Sequence, residues 1–279
     1  MYLVTGATGN VGGELVRALS GAGEPVRALV RQESDRSQLP ADAEGVVGDL
    51  NQPETLTPAL AEVTGVHLLA GYEGLAELLA EMRGAGVERV VLQSSSAAPG
   101  GDLTNAVAKY HILSERAVRE SGIPWTFLQP NSFMSNALRW LPQLEAGDVV
   151  RDAFPDVPVA AIDPHDVAAV SALALTSGDH EENSYRLSGP DSQLPAERLA
   201  ILAQALGRDL RFEGQSDEEA RAEMSENMPA EYVDAFFRFF RDGDVDESTV
   251  LPTVGEVLGR EPRSFEEWAV EHADAFRQA

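Results

Sequence analysis

The stretch Tyr2-Leu3-Val4-Thr5-Gly6-Ala7-Thr8-Gly9-Asn10-Val11-Gly12-Gly13-Glu14-Leu15-Val16-Arg17-Ala18-Leu19 decides the fold. An apolar strand runs into a glycine turn, and the turn opens a helix. Gly6, Gly9 and Gly12 stand at G-x-x-G-x-x-G spacing. In order, they allow a tight turn off the strand, close backbone approach to a pyrophosphate, and close packing of helix on strand. Phosphates then lie on the helix N-terminus, where unpaired backbone N–H groups and the helix dipole favour negative charge. Glycine also punctuates plain loops, so the flanks carry weight. After a Gly21-Ala22-Gly23 break, a second apolar strand, Val26-Arg27-Ala28-Leu29-Val30, completes one βαβ unit, closed by Arg31.

Arg31 falls where an NAD-specific site places Asp or Glu for the ribose hydroxyls, and a guanidinium there suits a 2′-phosphate. The expected cofactor is therefore NADP(H) in preference to NAD(H). The alternative is a solvated arginine at a strand end, offset by the nearby Glu33 and Asp35.

A length of 279 residues fits one large α/β domain, or a domain with an added lobe. The balance of 21 basic against 46 acidic residues gives a net charge of −25, which opposes nucleic-acid backbones and anionic membranes alike. The expected partner is a small molecule. Without cysteine, disulfides, thiolate metal sites and cysteine nucleophiles are excluded. The histidines (His67, His111, His165, His180, His272) lack ligand spacing, so no metal is expected. No basic-then-apolar leader and no membrane-length apolar run is present, so the expected location is cytoplasmic. Lys109 is the one lysine.

The rest of the chain alternates strand and helix. A third strand, Gly45 to Leu50, ends in an acid, Asp49, which reads as a contact to an adenine edge or as the N-cap of a helix over Pro53 to Glu62, two compatible uses. A fourth strand, Val66 to Ala70, stops at Gly71, and Leu75, Leu78, Leu79 and Met82 form the core stripe of the next helix. The fifth strand, Arg89 to Gln93, ends in Ser94-Ser95-Ser96. A long helix from about Asp102 to Glu120 follows, then a sixth strand, Trp125 to Leu128, ending at Gln129-Pro130-Asn131. Such alternation specifies an α/β fold with a doubly wound parallel (Rossmann) sheet, whose ligands lie at the strand C-termini. Ser94, Ser95 and Pro130 sit at such ends.

Beyond the sixth strand, Ser132 to Trp140 leaves the sheet as an apolar, aromatic element. Asp163 as N-cap, Pro164 at N1 and Asp166 at N3 give Asp163-Pro164-His165-Asp166 a structural explanation as a helix start. Tyr185 to Leu187 is a last strand. Pro195 to Leu206, Asp217 to Met224, Pro229 to Arg241 and Ser264 to Phe276 read as helices. Tyr232, Phe236, Phe239 and Phe240 share one helical face, read as core packing, with Phe237 left over for a pocket or an interface. The expected division is a dinucleotide-binding core over 1–130 and 159–188, and a smaller, mostly helical C-terminal substrate lobe over 131–158 and 189–279.

The pattern Ser121-Gly122-Ile123-Pro124-Trp125-Thr126-Phe127-Leu128-Gln129-Pro130, with Thr5-Gly6-Ala7-Thr8-Gly9-Asn10-Val11-Gly12, resembles the NmrA-like, NAD(P)-binding atypical short-chain dehydrogenases. The likeness extends to Ser188-Gly189-Pro190, Leu206-Gly207-Arg208 and Gly259-Arg260-Glu261-Pro262-Arg263-Ser264-Phe265. It implies that Gly6, Thr8, Gly9, Asn10, Val11 and Arg31 hold the phosphates, Asp49 and Leu50 the adenine, and Leu69, Ala70 and Gly71 the ribose side. The family holds quinone and azo-dye reductases, isoflavone reductase relatives, and redox-sensing regulators that bind the nucleotide without turning it over.

The departures from this pattern concern chemistry. The widespread Tyr-x-x-x-Lys pair is absent, since Tyr110 is followed four residues later by Ser114. By the same resemblance His111 falls where isoflavone reductase relatives keep a catalytic lysine, which makes it a candidate acid with Tyr110 and Ser95 as rival donors. Gln129 replaces a frequent arginine. The leading expectation is an NADPH-dependent reductase of a small aromatic, quinone-like or carbonyl acceptor, in which the cofactor carries the chemistry. A non-catalytic nucleotide sensor is the alternative from another class, and an epimerase or dehydratase is the third reading.

Overall fold

A computed structural model describes residues 1–277. In chain order the elements are β1 (Tyr2–Val4), α1 (Asn10–Gly21), β2 (Val26–Val30), β3 (Glu44–Val47), β4 (Gly65–Leu69), α2 (Leu75–Gly84), β5 (Arg89–Gln93), α3 (Ala106–Ser121) and β6 (Trp125–Pro130). Then come α4 (Leu141–Ala146), β7 (Val149–Asp152), α5 (Pro164–Thr176), β8 (Asn183–Leu187), α6 (Pro195–Leu206), β9 (Arg211–Gly214), α7 (Asp217–Asn227), α8 (Ala230–Phe240), α9 (Thr253–Leu258), α10 (Phe265–Glu271) and α11 (Ala273–Arg277). No helix among the described residues is long and apolar enough to cross a membrane.

Seven strands form one sheet in the order β3-β2-β1-β4-β5-β6-β8. The pairs β1–β2, β1–β4, β2–β3, β4–β5 and β5–β6 are parallel. The fold class is therefore as expected. The order reverses between β1 and β4, and open sheets of this kind bind ligands at the carboxyl ends of strands beside such a switch. Strands buried on both faces read as continuous apolar runs, which explains why β2 and β5 have the extents read from sequence.

By its internal contacts the chain forms two compact units. One comprises Met1–Gly101, Lys109–Pro130 and Pro164–Arg186, and the other Asp102–Ala108, Asn131–Asp163 and the chain from Leu187. The core of the first is Leu3, Val66, Leu68, Val90, Leu92 and Phe127 of the sheet under the Leu75, Leu78, Leu79 and Met82 stripe of α2. Within it α1 packs against α5, and Glu14 of α1 meets His165 of α5 at 3.3 Å and Arg17 at 2.5 Å. The second unit is largely helical, with Trp140, Leu199, Leu202, Phe265, Trp268 and Phe276 in one cluster.

Several local readings are corrected. The helix expected over Pro53 to Glu62 is two 3₁₀ turns, Pro53–Thr55 and Thr57–Leu60, because Pro58 has no N–H to continue an α-helical ladder. The third strand ends at Val47, short of Leu50. The long helix starts at Ala106, since Asn105 Oδ1 accepts from the N–H groups of Val107 (3.0 Å) and Ala108 (3.1 Å) as a cap. The last helix divides at His272, the cap residue of α10. The pair β7–β9, a two-stranded parallel sheet joining Val149 to Arg211, was not legible.

The aromatic face of α8 is reversed. Phe237, with Val233 and Ala235, is the buried set. Phe237 meets Phe154 edge-on at 5.0 Å, under the Arg221 guanidinium at 3.8 Å. Tyr232, Phe236, Phe239 and Phe240 are only half-buried, and Phe236 and Phe240 line a cavity. The helix packs through its Val233–Phe237 spacing, leaving the broader aromatic stripe at a concavity.

The Glu14 carboxyl is held at about 2, chiefly by its hydrogen bond with His165 and then by Arg17, against the opposing effect of burial. A depressed carboxylate contributes stability that is present above its unfolded value and lost as pH falls toward the folded one. Glu14→Gln is expected to cost about 1 kcal/mol at pH 7, discounted for solvent access. In urea titrations its gap from wild type should narrow below pH 4.5, the ordinary carboxyl value. A gap that stays constant from pH 7 to about 3 would contradict the linkage.

Candidate functional site

The turn between β1 and α1 is built by backbone geometry alone. Gly6 has φ +62°, in the left-handed region, and the Gly9 N–H closes onto the Gly6 carbonyl at 2.8 Å. Gly9 is the N-cap of α1 and, lacking a side chain, leaves the first N–H groups of the helix uncapped. The first turn of α1 has no acidic residue, so nothing within the helix neutralises the positive end of its dipole. A Cβ at Gly12 would lie 2.1 Å from the Gly6 carbonyl oxygen, so only glycine lets the helix come this close. Thr8, Gly9 and Asn10 are exposed around this turn, whereas Val11 is buried beneath it.

The neighbouring strand end supplies the next wall. Thr5 Oγ1 accepts from the Leu69 N–H at 3.1 Å, and the Leu69 side chain lies against Gly6, within 2.7 Å of where a Cβ would stand. Ala70 is half-buried and Gly71 exposed. Gly71 has φ +96°, with the Tyr110 ring 3.1 Å from where a Cβ would stand. Leu69, Ala70, Gly71 and Tyr110 are thus gathered beside the glycine turn. At the end of β2, Arg31 is exposed. Glu33 pairs instead with Arg36 at 2.9 Å, and Asp35 accepts from the Gln32 N–H at 3.2 Å. Neither acid offsets Arg31.

Asp49 organises its own loop. Its Oδ1 accepts from the Asn51 N–H at 2.9 Å and its Oδ2 from Gln52 Nε2 at 3.1 Å, while Gln52 takes the N-cap position of the following turn. The N-cap reading of Asp49 is thereby replaced by an Asx turn. Leu50 beside it is buried.

At the ends of β5 and β6 the structure holds a network that sequence reading missed. The buried Glu115 of α3 accepts at Oε1 from Ser94 Oγ (2.6 Å) and from Gln129 Nε2 (2.8 Å). The signal was Gln129 itself, which replaces a frequent arginine and donates its amide to this carboxylate. Pro130 is buried, and its carbonyl accepts from the Ser96 N–H at 2.9 Å. Ser95 is half-buried, and its Oγ accepts from the Ala97 N–H at 3.2 Å.

Along α3, Ser114 stands where the absent lysine of a Tyr-x-x-x-Lys pair would be. Its hydroxyl donates to the Tyr110 carbonyl (2.7 Å) and accepts from the Gly71 N–H (3.1 Å), tying the helix to the loop after β4. Lys109 is exposed. His111 and Tyr110 have ring centroids 4.1 Å apart. Burial pushes the His111 imidazole down to about 4, and its Nδ1 is buried without a hydrogen-bond partner. At neutral pH His111 is therefore uncharged and offers hydrogen bonds rather than an imidazolium proton. His165 is engaged with Glu14, and Asp163 and Asp166 are buried at the start of α5. Among the described residues no group of three or more His, Cys, Asp or Glu is placed to hold a metal ion.

The glycine turn fits a dinucleotide, with its donors free of side-chain caps and its closest approach reserved to glycine. Gly9→Asp tests this. With φ −86° the backbone needs no left-handed conformation, and a Cβ would stand 3.2 Å from the Gly6 carbonyl oxygen, a contact relieved by a shift of a few tenths of an ångström. Asp is also a favourable N-cap, so the fold should survive. The new carboxylate would occupy the anion position at the helix N-terminus, and NADPH affinity is expected to fall by ~100-fold or more in calorimetric titration. Unchanged affinity in the folded variant would remove the site from this turn.

Comparison with known proteins agrees with this geometry. A family model described as NAD(P)H-binding matches residues 6–178. The (4-alkanoyl-5-oxo-2,5-dihydrofuran-3-yl)methyl phosphate reductase of Streptomyces griseus is 39% identical over 280 residues, covering 99% of this chain and 99% of the relative. An NAD(P)H azoreductase of Xenophilus azovorans is 35% identical over 290 residues, with 100% of both chains covered. Among solved structures, the Citrobacter triphenylmethane reductase complexed with NADP(H) superposes with a TM-score of 0.77 at 26% identity, over 98% of this chain and 99% of that one. On the glycine turn, the strand order and these matches, the chain belongs to the NmrA-like family of NAD(P)H-binding atypical short-chain dehydrogenases.

Proposed function

We propose that this protein is a cytoplasmic NAD(P)H-dependent reductase that passes hydride to a small aromatic, quinone-like or carbonyl acceptor and prefers NADPH to NADH. The observation that carries the reading is that two relatives matching along essentially the whole of each chain are reductases. When bound, the nicotinamide supplies the hydride. The chain's residues orient and enclose it. Gly6, Thr8, Gly9, Asn10 and Val11 receive the pyrophosphate, Asp49 and Leu50 border the adenine, and Leu69, Ala70 and Gly71 border the ribose. Ser94 and Pro130, at the strand ends, border the nicotinamide side. Residues 131–158 and 189–279 serve as the substrate lobe. The charge of −25 favours a small-molecule partner over nucleic acid.

Proton supply follows from the state of the α3 side chains. Tyr110 has no ammonium at its fourth neighbour, and His111 is neutral. A quinone needs no protein acid, because its reduced oxygens take protons from water. A simple carbonyl gains from a hydrogen bond to its oxygen, which neutral His111, Tyr110 or Ser95 can donate.

Arg31 is the proposed reader of the 2′-phosphate, supported by its exposure and by acids that pair elsewhere. A charge-assisted bidentate contact is worth roughly 1.5–3 kcal/mol, a factor of about 10–150. Titration of NADPH and NADH should show that preference in wild type and most of it gone in Arg31→Ala; equal affinities in wild type would overturn the assignment.

His111→Ala is expected to lower reduction of a carbonyl acceptor by ~100-fold and quinone reduction far less. Because the imidazole is displaced to about 4, the His111 contribution should be flat from about pH 6 to 8. Equal effects on both acceptors, or none on either, would leave His111 without a part in the chemistry.

A further inference from the structure

The second unit contains a cavity of about 570 Å³, the size of a small-molecule site. Its wall is of two kinds. Phe154, Phe236, Phe240, Met224 and Met228 make it apolar and aromatic. Its polar wall holds Arg198, in the first turn of α6, together with Arg139, Arg151, Asp152 and Glu223; at Arg198 the helix dipole disfavours a cation.

The acids around Arg198 are already engaged. Asp152 accepts at Oδ2 from Arg139 (2.6 Å) and from Trp140 Nε1 (2.8 Å), and at Oδ1 from the Ala153 N–H (2.9 Å). Glu247 accepts from the Ser132 N–H and hydroxyl, and Glu223 accepts from the Gln215 amide. Arg198 itself forms no ion pair among the described residues, and its Nε is buried without a hydrogen-bond partner. Burial, and then Arg139, push its guanidinium down to about 10 against the pull of Asp152 and Glu247, so it stays charged at neutral pH. In a chain with 46 acids and 21 bases, a half-buried arginine without a carboxylate in ion-pair contact runs against the composition. Burying a charge is costly unless it is paired. A guanidinium offers a planar fork of donors matched to carboxylate and phosphate oxygens.

We propose that this cavity binds a small molecule with a flat apolar body and an oxyanion head, a phosphate ester or a carboxylate, seated on the Arg198 guanidinium. Phe236, Phe240 and the two methionines take the body, and Arg198 selects the head. The inference rests on the reductase reading for its meaning in catalysis: the acceptor carries the anion.

The test is binding without turnover, which separates the two claims. 2-Naphthyl phosphate, 2-naphthoate and neutral 2-naphthol are titrated calorimetrically into the full chain. At least one anion should bind about 10-fold or more tightly than 2-naphthol. The tighter of the two assigns the head as phosphate ester or carboxylate. Arg198→Met should bring the anion down to the level of 2-naphthol, and Arg198→Lys should retain part of the gain. NADPH affinity and thermal midpoint report that each variant is folded. Should Arg198→Met fail to fold, the wild-type ratio and displacement of the bound anion by inorganic phosphate or acetate decide the matter. Equal binding of all three probes, or an anion preference untouched in folded Arg198→Met, overturns the proposal. A protein that selects anions but leaves NADPH unoxidised with every acceptor offered would fail the reductase reading and keep this one.

Discussion

The approach of Gly12 to the Gly6 carbonyl governs the rest of the nucleotide site. With no Cβ between them, α1 sits close enough to β1 for its uncapped N-terminus to face the switch point of the sheet. A methyl group there would stand 2.1 Å from a carbonyl oxygen, a distance no packing adjustment absorbs without moving the backbone. Around this contact the loops after β2 and β4 converge. Leu69 packs on Gly6, Thr5 ties β1 to β4 through the Leu69 N–H, and Arg31 closes the neighbouring strand. The site is a consequence of close backbone packing rather than of reactive side chains.

The catalytic helix of relatives with a Tyr-x-x-x-Lys pair has here a structural occupation. Ser114 bridges the Tyr110 carbonyl and the Gly71 N–H, and Glu115 collects Ser94 and Gln129. These bonds fix α3 against the ends of β4, β5 and β6 without an ammonium. The one imidazole of this helix, His111, is kept uncharged by burial. In the proposed reading such a helix positions a cofactor and an acceptor more readily than it delivers protons, which suits acceptors that draw protons from water.

Much of this was legible in the sequence because the first unit is a parallel sheet covered on both faces. Its strands must be apolar runs, its turns must be glycine, and its helices must carry one stripe, as Leu75, Leu78, Leu79 and Met82 do. What was not legible depends on distant partners. The strands β7 and β9 find each other across about sixty residues, from Val149 to Arg211. The orientation of α8 depends on Phe154 and Arg221, so the larger aromatic stripe lost the core to Val233 and Phe237. Nothing in Leu194-Pro195-Ala196-Glu197-Arg198-Leu199 sets Arg198 apart, and only the folded chain half-buries it at a cavity wall. The cap at Asn105 and the break at Pro58 are visible as residue types, and there the local backbone chemistry overrides the hydrophobic period.

The central claim is that the nucleotide held at the β1–α1 turn reduces an acceptor. It is tested most directly by single-turnover mixing of the protein with NADPH deuterated at the transferred position and a quinone, following loss of the reduced-nicotinamide absorbance. The expected result is rapid loss, slowed by a primary isotope effect when deuterium replaces the transferred hydrogen. Bound NADPH that persists unoxidised with quinone, azo and carbonyl acceptors would contradict the claim.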